Sequence, residues 1–372
     1  MIKRYAHTIL SLQVATILLV ACSQEAIIAV PDADGADSLT AHVIGFASDL
    51  ARTATRAVGD GELTTELLRN EGFGVYCWYT KNQPFTTAKT AEYMLMNNQE
   101  VIWSAGLWGY SPAKYWPLMA DEMLTFRAYA PYMPLGLQTD GNGMPHLPVM
   151  VANTDYRNGM QHDPLWGTGR TDDYVEYGSH YTDYTYVKSG DELTKDATDG
   201  TIHWYFHHGM SKIMFRGRLA EDASDENVTI KSISISPLYT EGLLDISSPA
   251  GSASEKPVWS SHNAPALDMA ITLEQADMKT GIALNKGTDQ DLLDNGLLII
   301  PRDFTDSPLI ITMVFEVSGV ENTATASVSR CLYGNTAYTF DLTLNPANPA
   351  LNVRIRVNLD WQTGSHFIID DL

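Results

Sequence analysis

The chain has 372 residues, enough for two domains that each bury a hydrophobic core. Its 45 acidic residues outnumber its 24 basic residues, and the formal net charge is -21 at pH 7. This excess of negative charge argues against binding to nucleic acid and against electrostatic attachment to anionic lipid. The composition suits an exported protein with a soluble surface.

The amino terminus has the pattern of a secretory signal. Lys3 and Arg4 precede an apolar stretch, residues 9–20, that is shorter than the roughly 20 apolar residues of a membrane-spanning helix. The stretch ends in Leu19-Val20-Ala21-Cys22, which resembles a bacterial lipobox. That resemblance implies cleavage before Cys22 and a diacylglycerol on its thiol. An ordinary signal peptide with an incidental cysteine is the alternative.

Residues 23–38 are small, acidic and Pro-containing, which is typical of a flexible tether. The next stretch, Ala41 to Leu50, has the apolar content and length of one β-strand. Arg52 and Arg56 follow among Thr and Ala, in a segment without strong local structure that a protease can reach. If this first strand is cut away, the domain that it completes is left with an open groove.

Strands dominate the chain after residue 60, where residues 62–69 are expected to form only one or two helical turns. Up to residue 220, the alternating and apolar runs predict strands at Phe73–Thr80, Tyr93–Met96, Glu100–Trp103, Met123–Ala130, Thr201–His208 and Lys212–Leu219. Residues 97–99 (Asn-Asn-Gln) predict a hairpin turn. The aromatic residues 108–117 are expected to pack, and residues 133–200 show little periodicity, which is typical of a functional or mobile region.

Residues 221–227 are polar, acidic and rich in structure-breaking residues, so they are the expected domain boundary. Beyond them, strands are expected at Val228–Ser236, Leu267–Thr272, Gly296–Ile300, Leu309–Val317, Thr325–Tyr333, Thr336–Leu344 and Leu351–Trp361. Turn signals separate these runs. The series predicts an all-β sandwich architecture.

Several of these segments together resemble the fimbrillin-like lipoproteins, subunits of the type V pili of Gram-negative bacteria. The matching pieces are, in order, the lipobox at Cys22, the strand before residues 55–57 (Thr-Arg-Ala), 73–76 (Phe-Gly-Val-Tyr), 114–117 (Lys-Tyr-Trp-Pro), 124–131 (Leu-Thr-Phe-Arg-Ala-Tyr-Ala-Pro), 206–213 (Phe-His-His-Gly-Met-Ser-Lys-Ile), 298–301 (Leu-Ile-Ile-Pro), 338–344 (Tyr-Thr-Phe-Asp-Leu-Thr-Leu) and 360–364 (Asp-Trp-Gln-Thr-Gly). Together they span nearly the whole chain. Two features depart from the family: Met210 stands where Leu is usual, and residues 153–200 form an enlarged region that does not align.

The resemblance implies an all-β fold of two β-sandwich domains in tandem, transthyretin-like with Greek-key connections. The expected division is a signal peptide at 1–21, an acylated tether with a removable first strand at 22–56, and domains at 57–220 and 221–372. It further implies an outer-membrane lipoprotein at the cell surface, cleaved after Arg56 or Arg52 by an arginine-specific protease. The expected partners are other fimbrial subunits, each donating a strand head-to-tail to the next. Whether this chain is a stalk, an anchor or a tip subunit stays open.

A second function class, adhesion at the fimbrial tip, is suggested by residues 172–186. Five tyrosines are interleaved with carboxylates there: Tyr174, Tyr177, Tyr181, Tyr184 and Tyr186. Tyrosine combines an apolar face with a polar tip at low entropic cost, which suits a surface that recognises a glycan or a protein. The alternative is a solvated hairpin whose tyrosines pack on the edge of the sandwich.

No enzymatic activity, metal or cofactor is expected. Ser111-Pro112-Ala113-Lys114 and Lys279-Thr280-Gly281 match two short motifs of the serine β-lactamases, but Pro117 stops any helix that Ser111 would have to begin. His203 and His207 are about 13 Å apart along a strand at 3.3 Å per residue, too far to share one metal ion. Cys77 and Cys331 lie in separate strand-like runs, and free thiols are favoured over a disulfide.

Overall fold

The computed structural model describes the following parts of the chain: residues 43–50, 65–81, 94–117, 123–151, 163–169, 201–223, 227–246, 258–262, 281–293, 296–349, 351–358 and 367–371. All of them belong to one compact unit. They are nearly all strand, which confirms the predicted all-β class. The one helix among them, α1 (Thr65–Glu71), spans two turns, and no helix of the described residues is long and apolar enough to cross a membrane.

The first nine strands are β1 (Gly45–Leu50), β2 (Phe73–Lys81), β3 (Met94–Ser104), β4 (Leu107–Gly109), β5 (Met123–Ala130), β6 (Gln138–Thr139), β7 (Pro145–Met150), β8 (Leu165–Gly169) and β9 (Thr201–His208). Seven of them form one sheet in the order β1-β9-β8-β5-β2-β3-β4. Strand β1 runs parallel to β9, whereas the other neighbours in this sheet are antiparallel. Strand β1, the first among the described residues, is therefore an edge strand of this sheet.

The later strands are β10 (Ser211–Leu219), β11 (Val228–Ser236), β12 (Glu241–Asp245), β13 (Val258–His262), β14 (Ile282–Leu284), β15 (Gln290–Asp291), β16 (Leu297–Ile299), β17 (Arg302–Asp303), β18 (Leu309–Val317), β19 (Val320–Val328), β20 (Cys331–Leu332), β21 (Thr336–Leu344), β22 (Leu351–Asn358) and β23 (Phe367–Asp371). A six-stranded sheet has the order β15-β10-β21-β22-β23, with β16 also paired to β10. A four-stranded sheet has the order β14-β11-β18-β19. Strands β10 and β21 are parallel to each other.

The two later sheets enclose the largest hydrophobic cluster. It contains Phe215 from β10, Ile233 from β11, Ile311 from β18, Phe340 from β21 and Ile355 from β22, each at most 1% exposed. The alternating burial along β10 and β11 explains this packing, because every second side chain of a strand points to the same face. The result is a sandwich of two sheets.

Strand β2 shows why the seven-stranded sheet is buried on both faces. Phe73, Val75 and Cys77 belong to one cluster, and Tyr76 and Trp78 belong to another. Alternation along the sequence predicts this division, because every second residue of a strand points to the same face. The second cluster lies against a further sheet of the order β13-β12-β7-β6, which contributes Leu147 and Leu244 among others. That sheet joins strands from both halves of the chain.

The chain leaves the seven-stranded sheet after His208 and enters the six-stranded sheet at Ser211. The change of sheet thus precedes the polar segment 221–227. Strand β7 pairs with β12 across the predicted boundary between residues 57–220 and residues 221–372. These two domain limits therefore stay a prediction.

Two local expectations were wrong. Residues 97–99 are not a hairpin turn, because β3 continues through them to Ser104 and Asn98 adopts a positive φ where the β2–β3 register shifts. The turn lies at Ala105 and Gly106, both with positive φ. Residues 133–200 are not uniformly irregular either, since β6, β7 and β8 lie among them. The predicted strand 267–272 lies outside the described residues.

Candidate functional site

The strongest candidate site is the slot that holds the first strand, which we call the β1 slot. It is bounded by β9 on one side and by residues 110–115 on the other. The strand predicted at Ala41–Leu50 is confirmed over Gly45–Leu50, preceded by an isolated bridge at Val43. In the pairing with β9, Gly45 is opposite Thr201 and Leu50 is opposite Phe206. The slot is therefore a strand-shaped gap that the chain fills with its own amino-terminal segment.

The side of the slot opposite β9 also holds the backbone of the first strand. The Ile44 N–H donates to the Lys114 carbonyl at 2.9 Å, and Val43 and Tyr115 form an antiparallel bridge. The Tyr110 hydroxyl donates to the Ile44 carbonyl at 2.7 Å and accepts the Lys114 N–H at 3.3 Å. The two residues before β1 are thus bonded to residues 110–115, whereas Gly45–Leu50 pair with β9.

The floor of the β1 slot is apolar and largely aromatic. Ile44 is 0% exposed and Phe46 is 6% exposed, and both belong to the cluster that contains Phe73, Phe126 and Phe206. The Phe46 ring lies with its centroid 5.2 Å from that of Tyr110, 6.3 Å from that of Phe73 and 6.4 Å from that of Phe126. Without β1, these rings and a row of backbone groups on β9 would face solvent, which is unfavourable for both.

Burial raises the pKa of the Tyr110 hydroxyl to about 12, against the opposing effect of its hydrogen bond to the Lys114 backbone. The hydroxyl is therefore protonated at neutral pH and remains a hydrogen-bond donor. Residues 108–117 were expected to pack rather than to bind, and Trp108, Tyr110 and Trp116 do pack against the same cluster as Phe46. The contact of Tyr110 with the first strand carried no sequence signal.

A second group of polar contacts surrounds Gly209, where the chain passes from the seven-stranded sheet to the six-stranded sheet. The His208 ring and the Asp163 carboxylate are joined by a buried hydrogen bond, and the His208 backbone N–H donates to Asn335 Oδ1 at 3.2 Å. The Asn335 N–H donates to the Met210 carbonyl at 2.9 Å. In the sequence, His208 shares a strand face with Trp204 and Phe206, which predicts a histidine at the edge of the core. Asp163 and Asn335 were missed because their partners are far away in sequence.

The Gly209 backbone is enclosed at this crossover. Its N–H donates to the Pro164 carbonyl at 2.7 Å, and its own carbonyl accepts the indole N–H of Trp259 at 3.2 Å. A Cβ at position 209 would lie 2.7 Å from both the Pro164 oxygen and a Leu244 methyl group, so only glycine fits. The adjacent His207 is buried, and burial together with the nearby charge of His208 lowers its pKa to about 3. These contacts fix the path between the sheets and present no open site.

Several predicted site residues lie outside the described residues. These are the lipidation site Cys22, the processing sites Arg52 and Arg56, and the tyrosines Tyr174, Tyr177, Tyr181, Tyr184 and Tyr186. In the sequence, Arg52 and Arg56 follow directly after β1. The structure therefore places the strand that cleavage would release, and leaves the cleavage itself as a prediction.

The motifs that suggested an enzyme do not form the expected geometry. Residues 111–117 contain no helix, so Ser111 and Lys114 are not arranged as in a Ser-x-x-Lys site. Cys77 and Cys331 are both free, as favoured from the sequence, and burial raises the pKa of the Cys77 thiol well above its usual value. Among the described residues, no three His, Cys, Asp or Glu side chains are grouped to hold a metal ion.

Comparison with known proteins decides the family. The fimbrillin-like family model matches residues 55–361. The chain belongs to the fimbrillin-like family. This confirms the resemblance found in the sequence, and it places Arg56 just inside the region that matches.

Individual relatives are more distant. The chain is 32% identical over 81 residues to the fimbrium subunit Fim1C of Phocaeicola vulgatus, a match that covers 22% of this chain and 21% of that protein. The chain thus spans about a fifth of the length of this curated relative. It is also similar to the crystal structure of a fimbrial protein from Bacteroides vulgatus, at 17% identity and a TM-score of 0.47, covering 85% of this chain and 98% of the other.

Proposed function

We propose that this fimbrillin-like protein is a structural subunit of a cell-surface fimbrium. In this proposal an arginine-specific protease cuts after Arg56, or after Arg52, and β1 leaves its slot. A strand from another subunit then fills the slot. The observation that carries the proposal is the β1 slot itself, because a buried strand next to the cleavage sites is held by non-covalent contacts on both edges.

The energetics support replacement rather than an empty slot. Vacating the slot exposes the aromatic rings beneath Phe46 and leaves backbone donors and acceptors of β9 and Lys114 without partners. Any strand with apolar side chains at alternate positions restores both kinds of contact. A contact in which one subunit gives a strand and the next receives it is head-to-tail, and such contacts build filaments.

The chain has its own candidate for the strand that is given. Strand β23 lies at the end of the six-stranded sheet and pairs with β22. Releasing it breaks one ladder, whereas releasing β21 breaks the ladders with both β10 and β22. The sequence Phe367-Ile368-Ile369 also has apolar residues at alternate positions, as Ile44 and Phe46 do. We propose that β23 is the donated segment if this subunit lies within the shaft.

Acylation at Cys22 completes the proposal by holding the precursor at the outer membrane until it is cut. Each buried methylene of an acyl chain contributes about 0.8 kcal/mol, so a multiply acylated cysteine is a stable anchor. Cleavage after Arg56 then separates the anchor from residues 57–372. The same cut therefore leaves the subunit attached to its anchor only through the non-covalent contacts of β1, which an incoming strand replaces.

An adhesive role at the fimbrial tip is the second candidate function. Its support is the row of tyrosines among carboxylates in residues 172–186, which suits contact with sugar hydroxyls or basic side chains. The two roles are compatible with the same assembly step, since a tip subunit also needs a filled slot.

A polymerisation experiment tests the main proposal. The purified chain is treated with an arginine-specific protease and followed by size-exclusion chromatography and electron microscopy, with Arg52→Lys/Arg56→Lys as the matched control. We expect polymers from the native chain and none from the control. A lysine-specific protease should restore polymers to the control variant. Polymers from uncut chain would refute the need for cleavage.

A further inference from the structure

The outer edge of the four-stranded sheet is long enough to accept another strand. Strand β19 is the last strand in the order β14-β11-β18-β19, and within the described residues it pairs with β18 alone. It has nine residues, whereas every other edge strand in the described part of the chain has six or fewer. A long edge strand presents a row of backbone N–H and C=O groups to which a further strand can bond.

The sequence of β19 lacks the features that usually keep sheet edges apart. Residues 322–328 (Asn-Thr-Ala-Thr-Ala-Ser-Val) contain no charged residue and no proline. The pairing of β18 with β19 is regular from end to end, without a bulge that would twist the edge away. Charges, prolines and bulges are the devices that protect edges in natural sheets. Strand β19 is therefore an unprotected edge.

The turn before β19 determines which backbone groups face the open edge. Ser318 and Gly319, both with positive φ, form the two-residue turn that joins β18 to β19. The residues that flank such a turn are a hydrogen-bonded pair, and bonded and non-bonded pairs then alternate along the two strands. The residues whose backbone groups point away from β18 are therefore Thr323, Thr325 and Ser327. Their side chains are exposed.

We propose that β19 is a docking edge for a second copy of this chain, whose own β19 adds to it in the antiparallel direction. The pairing joins two four-stranded sheets into one continuous sheet. It involves neither β1 nor β9, so it is separate from the head-to-tail contact of the proposed function and does not depend on it.

A second copy fits this edge because the segment is complementary to itself. With a two-fold axis at Thr325, Thr325 lies opposite its counterpart and Thr323 lies opposite Ser327 of the second copy. Hydroxyl side chains then face hydroxyl side chains, which is a favourable cross-strand pair. The three pairs form about six backbone hydrogen bonds, two in each.

Charge also favours a second copy at this position. The formal net charge of -21 makes two copies repel each other over most of their surface. The uncharged segment is a place where they approach without like charges meeting, because Glu321 of one copy lies opposite Ser329 of the other. Ala324 and Val328 are at most 1% exposed and point into the core, so they need not move when the strands pair.

The symmetry of this contact determines what it can build. Each copy uses the same surface, so the contact closes on two copies and does not extend a filament. One added strand is a small interface, which makes a single pair weak. Many pairs along two filaments add up to a stable association. Between fimbriae, the contact would therefore hold neighbouring filaments side by side.

A disulfide experiment on the purified, uncut chain tests the pairing. The starting variant is Cys22→Ala/Cys331→Ala, since the remaining Cys77 is buried. Adding Thr325→Cys places two cysteines about 5.5 Å apart between their Cα atoms, within the range of a disulfide. Ser327→Cys is the matched control, because it is also exposed and its counterpart lies four residues, or about 13 Å, further along the strand.

Under mild oxidation we expect Thr325→Cys to form covalent dimers about ten-fold faster than Ser327→Cys. Equal rates would mean random collision and overturn the inference, as would faster dimerisation of Ser327→Cys. Because the chain is uncut, the result is independent of cleavage. A failure of the cut chain to polymerise would count against the proposed function alone.

Sedimentation equilibrium gives a second, reversible measurement on the chain with native Thr325. Thr325→Pro removes an N–H that faces the open edge and leaves the ladder with β18 intact. We expect the dimer dissociation constant to rise about ten-fold or more. Thr325→Val keeps the N–H and should raise it by less than about three-fold. A dissociation constant unchanged in Thr325→Pro overturns the inference; if this variant unfolds, the disulfide rates decide.

Discussion

The ring of Phe46 meets the ring of Phe73 edge-on, with centroids 6.3 Å apart and planes 80° apart. Phe46 lies on the strand before the arginines, and Phe73 lies on β2 in the middle of the seven-stranded sheet. This contact connects the segment that cleavage would remove to the centre of the first hydrophobic cluster. It also makes the contribution of the first strand measurable in the intact chain.

Replacing Phe46 with Ala should lower the free energy of unfolding by about 3 kcal/mol, because a buried phenylalanine is exchanged for a cavity. Chemical denaturation of the uncut chain measures the loss. Leu135→Ala is the control, since the Leu135 side chain is 101% exposed and its removal should change stability by less than about 0.5 kcal/mol. If the two variants lose the same free energy of unfolding, the buried side chain of Phe46 stabilises the protein no more than an exposed side chain does.

Stability should fall with pH below about 6.5 because of His207. Burial lowers the folded-state pKa of His207 to about 3, so its stabilising contribution is present above the unfolded value of 6.5 and is lost as pH falls through this range. The slope approaches about 1.4 kcal/mol per pH unit. The variant His207→Gln should flatten the curve of unfolding free energy against pH between about 3 and 6.5.

His262→Gln provides the comparison for that measurement. Burial also lowers the pKa of His262, but its side chain is only half-buried, so the same change should flatten the curve less. A native acid slope that survives in His207→Gln would contradict the assignment of the loss to His207.

Changing Cys22 to Ala should release the protein from the outer membrane, because no acyl chains can be attached at that position. Fractionation of cells that produce the native chain and the variant measures this. A Cys331→Ala variant serves as the control and should stay with the membrane. Retention of Cys22→Ala in the membrane fraction would contradict the lipid anchor.

If residues 172–186 are adhesive, Tyr177→Ser/Tyr181→Ser/Tyr184→Ser should reduce binding to cells or glycan arrays while polymerisation and the thermal unfolding midpoint hold. The loss of aromatic faces is the physical reason. Unchanged adhesion, or a loss accompanied by unfolding, would favour the solvated hairpin. A triple change of Tyr to Phe keeps the faces and separates ring contacts from hydroxyl contacts.

Local sequence patterns predicted many of the strands and the faces of their side chains. The alternation along Phe73–Thr80 predicted which side chains share a face, and apolar content predicted the first strand. The hairpin at Asn97–Gln99 was wrong because polar residues suit a bulge as well as a turn, and only the pairing of β3 with β2 distinguishes the two. Strand β23 was missed because residues 365–372 are few and follow a strand already assigned as the last.

Contacts between distant segments could not be read from the sequence. Tyr110 meets Ile44 across 66 residues, and His208 meets Asp163 across 45 residues. No fixed sequence spacing predicts either contact, because both depend on the order of the strands in the sheets. The candidate slot was therefore predicted from its occupant, β1, whereas its opposite wall at residues 110–115 became visible only in the structure.

The most direct test of the account is the amino-terminal sequence of the subunit within fimbriae isolated from cells. The account predicts that assembled protein begins at Ala57, or at Thr53 if Arg52 is the site, and that peptides from residues 43–50 are missing. Mass spectrometry of the same material, with unassembled precursor as the reference, checks both. Assembled subunits that retain β1 would contradict the claim that its slot receives a strand from another subunit.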